Sequence, residues 1–346
     1  MQRATSGFAA LERGGPIVPF QFERRALRPH DVVLRITHCG VCHSDLHSIG
    51  KWGQEFPLVP GHEIVGEVIE VGSAVTRFTV GQTALIGTIV DSCRECEACL
   101  DEDETYCHAY PTTTFDGVDR VDQTRTRGGY SSQYVADERF VYALPEGLDP
   151  AGAAPLVCAG ITTYSPLVNW KVGPGMTVGV VGIGGLGHLG VKFARALGAH
   201  VVAFTTSPAK VEPTLALGAH EVVVSTDAAQ MQAQARRFDF ILDTVAVPYP
   251  MDPMIYALKR NGTICSVGIP DRHDFTPMAL TMGRRRLASS GAGGTRETQE
   301  MLDFCAKHGI VADYELIAPN QIASAFERLQ RGDVRYRFVL DLQTPA

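Results

Sequence analysis

An apolar run, Val178–Val181, leads straight into Gly182-Ile-Gly184-Gly185-Leu-Gly187, and a helical pattern over Leu186–Leu197 opens on those glycines. In such a strand–turn–helix the first glycine permits the tight turn. The second lets the backbone approach a pyrophosphate, and the third lets helix and strand pack closely. The helix N-terminus adds free N–H groups and the positive end of its dipole. The glycine pattern alone is weak, and a glycine-rich turn that binds nothing is the plain alternative. Here further apolar strands follow at Val201–Thr205, Glu221–Val224, Phe238–Asp243 and Thr263–Val267, with helical patterns between them. Repeated strand–helix units predict an α/β fold with a doubly wound parallel sheet and a dinucleotide at this loop.

The end of the second strand bears on which dinucleotide is bound. An NAD site places Asp or Glu there, about 20 residues beyond the glycines, to accept from the ribose 2′-OH. This chain reads Phe204-Thr-Thr206-Ser207-Pro-Ala-Lys210. Hydroxyls and one cation suit a 2′-phosphate that a carboxylate would repel, so NADP(H) is the expected cofactor. A single lysine at a helix start is also commonly just solvated.

Four cysteines, Cys93, Cys96, Cys99 and Cys107, form a C-x2-C-x2-C-x7-C run. Closely spaced thiolates on one short loop can wrap a tetrahedral Zn²⁺ at about 2.3 Å, and a closed site of this kind is structural. A disulfide cluster is the competing reading. A chain of 346 residues without a recognisable secretory start over Met1–Leu11 is expected to be cytoplasmic, where thiols stay reduced. The formal net charge of −7 argues against nucleic acid or an anionic membrane as partner. No apolar run approaches the roughly 20 residues that span a bilayer.

A second constellation is more scattered. Cys42 lies in Cys39-Gly-Val-Cys42-His-Ser44-Asp45-Leu-His47, His62 and Glu63 follow a Pro-rich loop, and Cys158 sits in Leu156-Val-Cys158-Ala-Gly160. Two thiolates and one imidazole would leave a fourth tetrahedral position open, the arrangement of a catalytic zinc. Dispersed cysteines are more often buried small hydrophobes, and Cys39, Cys265 and Cys305 are read that way. Around these residues, Val32–Ile36, Ile64–Val71, Ala84–Val90 and Tyr134–Val141 are short β-type runs that predict an irregular barrel or sandwich carrying metal loops. Thr295–His308 reads as a helix stopped by Gly309, and Tyr336–Leu342 as a strand able to rejoin the first domain.

Taken in order, Cys39-Gly-Val-Cys-His-Ser-Asp45, Pro60-Gly-His-Glu63, the four-cysteine loop, Gly128-Gly-Tyr130, Ala154–Ser165, Val180–His188, Glu297–Leu302 and Tyr336-Arg-Phe-Val339 resemble the zinc-dependent medium-chain alcohol dehydrogenases. Within that family the chain is most similar to the cinnamyl-alcohol-dehydrogenase-like branch and its bacterial broad-specificity NADPH-dependent aldehyde reductases. The resemblance implies a GroES-like irregular β-barrel catalytic domain from residues 1–151 and 288–346, and a Rossmann domain over 152–287. It also implies an active site in the cleft between them and a homodimer.

By the same resemblance, Cys42, His62 and Cys158 hold the catalytic zinc, with Glu63 as an alternate ligand and Asp45 orienting His62. Ser44 supplies a proton through the ribose hydroxyls, and His47 delivers it from solvent. Cofactor contacts fall on Gly182, Gly184, Gly185, Leu186, Gly187, Thr162, Thr206, Ser207, Lys210 and Arg337. Each chain carries two Zn²⁺, one catalytic and one structural, and acts on a small aldehyde or alcohol. Without the resemblance, Ser44 reads as a capping hydroxyl and His47 as an ordinary exposed imidazole. Trp52 and Gly291-Ala292 depart from relatives and are expected to reshape the substrate pocket, the latter by enlarging it. Two other classes compete: a zinc-independent quinone or enone reductase of the same superfamily, and a non-catalytic nucleotide-binding protein on this fold.

Overall fold

The computed structural model describes residues 2–343, which form two compact units. Of the described residues, one comprises 2–158 and 293–343, the other 159–292. The outermost positions expected in the first domain, Met1 and Thr344–Ala346, lie outside the described residues. The units part at Cys158 and Ala292, a few residues beyond 151 and 287. Two local features account for this. The helical turns Pro150–Ala153 and Ala154–Val157 bury Ala153, Ala154, Leu156 and Val157 against strands of the first unit. Strand Arg286–Ser289 is an edge of the second unit's sheet, so the chain leaves that unit only after it.

That sheet has six parallel strands in the order Glu221–Val224, His200–Thr205, Thr177–Val181, Phe238–Asp243, Leu258–Ser266, Arg286–Ser289. The chain starts in the middle, moves outward twice, then returns to the other side of Thr177–Val181. Strand order therefore reverses beside the glycine loop, where doubly wound sheets bind ligands. Its central strands read as almost unbroken apolar runs because the sheet interior is dry: Val178, Val180, Val201, Val202, Ile241 and Leu242 are fully buried.

The first unit holds a seven-stranded sheet. Tyr314–Ile317, Arg337–Asp341, Asp31–Val41, Ile64–Val71, Thr83–Ile86 and Val141–Ala143 lie side by side, and Gln133–Asp137 also pairs with Asp31–Val41. The C-terminal strand runs antiparallel to Asp31–Val41 with Leu340 opposite Cys39, so the tail is an interior strand of this sheet. Helix Thr295–His308 buries Thr298, Met301, Leu302 and Cys305, one stripe of an amphipathic helix, and ends at Gly309 with φ 64°.

Two predicted strands are broken. The run Ala84–Val90 divides into Thr83–Ile86 and Ile89–Asp91, the second pairing with Thr112–Thr113 in a separate ribbon. Gly87 stands at the break because a side chain there would meet the Val157 carbonyl. The run Tyr134–Val141 is interrupted by a turn at Glu138–Phe140, whose first residues are capped when Arg139 N donates to Asp137 Oδ1. The hairpin Arg3–Ala10 with Ile17–Arg24 was not among the predicted elements.

Candidate metal centres and dinucleotide loop

Cys42, His62, Glu63 and Cys158 come together although they are spread over more than a hundred residues. Cys42 ends strand Asp31–Val41 and begins helix His43–His47, His62 and Glu63 precede strand Ile64–Val71, and Cys158 follows the turn Ala154–Val157. One ligand atom from each lies within 4.8 Å of all the others. His62 Nε2 is 3.2 Å from Cys158 Sγ, and the Cys42 and Cys158 sulfurs are 3.9 Å apart. Bonds of about 2.0–2.3 Å at tetrahedral angles separate ligand atoms by roughly 3.4–3.8 Å, so the set fits a Zn²⁺.

The environment of these ligands carries the same message. Glu63 is fully buried, its Oε1 pairs with the buried Arg337 guanidinium, and its Oε2 has no hydrogen-bond partner. An unpartnered carboxylate oxygen in the interior is costly unless a cation faces it. Burial disfavours the charged imidazole, but a hydrogen bond and the charge of Cys42, with Asp45 and Glu63, outweigh it and raise His62 to about 9. Gly40 leaves the space that Glu63 needs: a Cβ there would fall 1.9 Å from Oε2. Arg337, expected at the cofactor, is found on Glu63.

Asp45 is fully buried and accepts from Cys42 N at 2.9 Å, from Gly61 N at 2.9 Å and from the Tyr130 hydroxyl at 3.1 Å. Its Oδ1 is 3.8 Å from His62 Nδ1, which leaves Nε2 turned toward the sulfurs. Ser44 Oγ lies 3.5 Å from Cys42 Sγ, at the cluster. His47 is exposed one turn further along the same helix, its ring 4.5 Å from that of Trp52.

The second cysteine set is compact and all four thiols are free. The Cys93–Cys99 and Cys96–Cys99 sulfurs are 3.8 and 3.5 Å apart. Backbone amides point at them: Cys93 N donates to Cys107 Sγ, Cys96 N to Cys93 Sγ, and His108 N to Cys96 Sγ. The His108 amide is the main reason the Cys96 thiol is pulled down to about 6. Such amide donors favour thiolates, as a metal loop requires. Arg94, at φ 65°, turns the loop between the first two cysteines and pairs with Asp91 and Asp137.

In the second unit each glycine does what the pattern predicts. Gly182 has φ 85°, Gly184 has open space where a side chain would stand, and a Cβ on Gly187 would fall 1.8 Å from the Gly182 carbonyl. Gly185 and Leu186 complete the turn into helix Gly187–Ala196. Thr206 is exposed and Ser207 half-buried just past strand His200–Thr205. Lys210 Nζ reaches back to donate to the Ile183 carbonyl at 3.1 Å, which places its charge beside the glycine loop. Thr162 is on helix Ala159–Asn169, which packs along Gly187–Ala196.

Known families match both units. The alcohol dehydrogenase GroES-like domain matches residues 28–146, and the zinc-binding dehydrogenase domain residues 185–307. Aldehyde reductase YahK of Escherichia coli (strain K12) is 52% identical over 99% of this chain and 98% of its own length. The chain belongs to the zinc-binding alcohol dehydrogenases.

A probable formaldehyde dehydrogenase, AdhA of Bacillus subtilis, is 49% identical over 93% of both chains. Among solved structures, a cinnamyl alcohol dehydrogenase from Sorghum bicolor superposes with a TM-score of 0.95 at 43% identity, over 98% of both chains. One from Helicobacter pylori, complexed with NADP(H), does so with 0.93 at 35% identity, over 99% of both. This dehydrogenase is therefore an oxidoreductase, with a GroES-like unit and a Rossmann unit.

Three of its site residues escaped the sequence reading. Tyr130 holds Asp45, and Phe115 stacks on the His62 ring at 5.6 Å and 23°. Glu104 is fully buried, accepts from Arg139 Nε and from Thr295, and so ties the four-cysteine loop to helix Thr295–His308. Only the Gly-Gly-Tyr triplet offered a signal, as a motif without an assigned task. Among the described residues no single helix of the dehydrogenase is long and apolar enough to cross a membrane.

Proposed function

We propose that this dehydrogenase is an NADP(H)-linked aldehyde reductase and primary-alcohol dehydrogenase of broad specificity. In this reading it holds a catalytic zinc on Cys42, His62 and Cys158 and a structural zinc on Cys93, Cys96, Cys99 and Cys107. The observation that carries the reading is the convergence of two sulfurs, an imidazole and a buried carboxylate, one ligand atom from each lying within 4.8 Å of all the others. The name of the Escherichia coli relative and the NADP(H) in the Helicobacter pylori structure support the substrate class and the cofactor.

A zinc ion on these ligands supplies Lewis acidity toward a carbonyl oxygen, and a reduced nicotinamide supplies the hydride. The chain's own residues do the rest. Asp45 keeps His62 in the tautomer that leaves Nε2 free. Ser44, at the cluster, carries the proton that the product oxygen needs, and His47, on the exposed side of the same helix, exchanges it with solvent. Glu63, balanced by Arg337, sits behind the ligands as a reserve carboxylate. Trp52 and Gly291 belong to the same proposal as shapers of the substrate pocket, as do a homodimer and a cytoplasmic location.

Zinc content measured together with NADPH oxidation over aliphatic, aromatic and α,β-unsaturated aldehydes tests the whole reading. Two zinc ions per chain and turnover of saturated aldehydes are expected. Enone reduction by a zinc-free preparation would instead identify the zinc-independent class, and an absence of turnover with any partner the non-catalytic one.

Cofactor choice has its own test. A carboxylate at Thr206 would repel a 2′-phosphate and accept from a free 2′-hydroxyl. Charge-assisted hydrogen bonds contribute about 1.5–3 kcal/mol each, or roughly 10–100-fold. Thr206→Asp should therefore lower the ratio of kcat/KM for NADPH over NADH by that factor. An unchanged ratio would remove Thr206 from the cofactor site.

A further inference from the structure

We propose that Tyr130 is a positioning residue for the catalytic zinc, its hydroxyl fixing the Asp45 carboxylate that in turn orients His62. The inference rests on the zinc reading above and adds an outer tier to it.

The backbone around Tyr130 is built for this contact. Residues Gly128–Tyr130 lie alongside the segment that delivers His62: Gly128 N donates to the Val59 carbonyl, Gly129 N to that of Gly61, and Tyr130 N to that of Pro60. The approach is closer than side chains permit. A Cβ on Gly128 would sit 2.2 Å from the Pro60 oxygen, one on Gly129 2.3 Å from Ile64 Cγ1, and one on Gly61 2.6 Å from the Tyr130 ring. Gly61 also has φ 100°, a conformation that a side chain would strain. Three glycines thus bring the tyrosine against the His62 loop, and its ring is wholly buried there.

The hydroxyl meets the one carboxylate that the zinc centre depends on for orientation. Asp45 Oδ1 takes the Gly61 amide and faces His62 Nδ1, while Oδ2 takes the Cys42 amide and the Tyr130 hydroxyl. With the hydroxyl gone, Oδ2 keeps a single donor in a dry interior, and a buried carboxylate short of donors turns toward others. That turn loosens His62. Burial, with Asp45 next in weight, holds the Tyr130 phenol far above its usual range, so it remains a donor at any pH of interest.

The test compares zinc-loaded wild type with Tyr130→Phe, which keeps the ring and loses one oxygen. Release of each zinc to a chromogenic chelator is followed, with the four-cysteine site as internal reference. Substituting partners of a metal's ligands typically changes affinity 10–100-fold, so the catalytic zinc of the variant should leave about tenfold faster. The structural zinc should leave at the wild-type rate, and cobalt placed in the catalytic site should show a displaced visible band. In an Asp45→Asn background, adding Tyr130→Phe should change release by less than about twofold, because the two act through one contact.

Equal release from wild type and variant would overturn the proposal. So would equal acceleration at both sites, which reports general loosening, or a full tenfold effect in the Asp45→Asn background. A wild type that binds no zinc at Cys42, His62 and Cys158 would defeat the underlying zinc reading, an outcome distinct from these.

Discussion

Cys158→Ala should lose at least about a thousandfold in kcat/KM for aldehyde reduction while binding NADPH as tightly as the wild type. Cys158 Sγ lies 3.2 Å from His62 Nε2 and 3.9 Å from Cys42 Sγ. Its loss leaves two strong ligands, and Glu63 is a poor replacement because Oε1 is held by Arg337 and only Oε2 is free. A Lewis acid at a developing alkoxide contributes several kcal/mol. About 4 kcal/mol at 1.36 kcal/mol per decade is roughly a factor of 10³. NADPH affinity should hold because the substitution alters no residue of the glycine loop Gly182–Gly187. Zinc should fall from two to one per chain, and single-turnover kinetics should locate the loss in the chemical step. A variant that lacks this zinc and retains wild-type turnover would refute the assignment.

The dinucleotide half was legible because local chemistry specifies it. Gly182, Gly184 and Gly187 each answer a separate steric demand, and those demands are met within six residues, so spacing alone exposes them. The limits of helix Thr295–His308 were legible for a similar reason: its apolar stripe has helical period, and Gly309 supplies the left-handed stop.

The metal centre was legible only in part. Residues on one loop announce a site by spacing, as Cys93, Cys96, Cys99 and Cys107 do. Cys42, His62 and Cys158 meet only after Asp31–Val41, Ile64–Val71 and the turn Ala154–Val157 have packed, and no local rule contains that. The outer partners are less legible still. Tyr130 acts through one hydrogen bond made over 85 residues of chain and Glu104 through bonds to Thr295 made over 191, and neither differs locally from a core tyrosine or a surface glutamate. The broken strands failed for a related reason. Gly87 reads as a residue in an apolar run until the Val157 carbonyl is known to press on it.

The four-cysteine loop carries the largest expected effect on stability. Cys99→Ser should leave one zinc per chain and lower Tm by about 10 °C, with kcat at low temperature within about twofold of wild type. Cys99 is the fully buried member of the set, adjacent to the sulfurs of both Cys93 and Cys96. A serine hydroxyl is nearly the same size but does not ionise, so the remaining thiolates lose their common cation and repel one another. A structural zinc contributes about 10–16 kcal/mol of apparent binding energy where it organises a whole domain.

Here much of the loop is secured independently. Arg139 Nη2 donates to the Cys99 carbonyl, Glu104 joins Arg139 to Thr295, and Gly294 packs where a Cβ would meet the Glu102 carbonyl at 2.0 Å. The net loss should then be nearer 3–5 kcal/mol, and at 2–4 °C per kcal/mol for a unit of this size that is about 10 °C. Catalysis is spared because the second metal group shares no ligand with the first. Adding Glu104→Gln to Cys99→Ser removes the independent support and should cost more together than the sum of the two alone, since each element holds the loop when the other fails. Calorimetry with zinc analysis of the four proteins decides the matter, and a Cys99→Ser variant that keeps both zinc ions or melts with the wild type would rule out a structural metal at this loop.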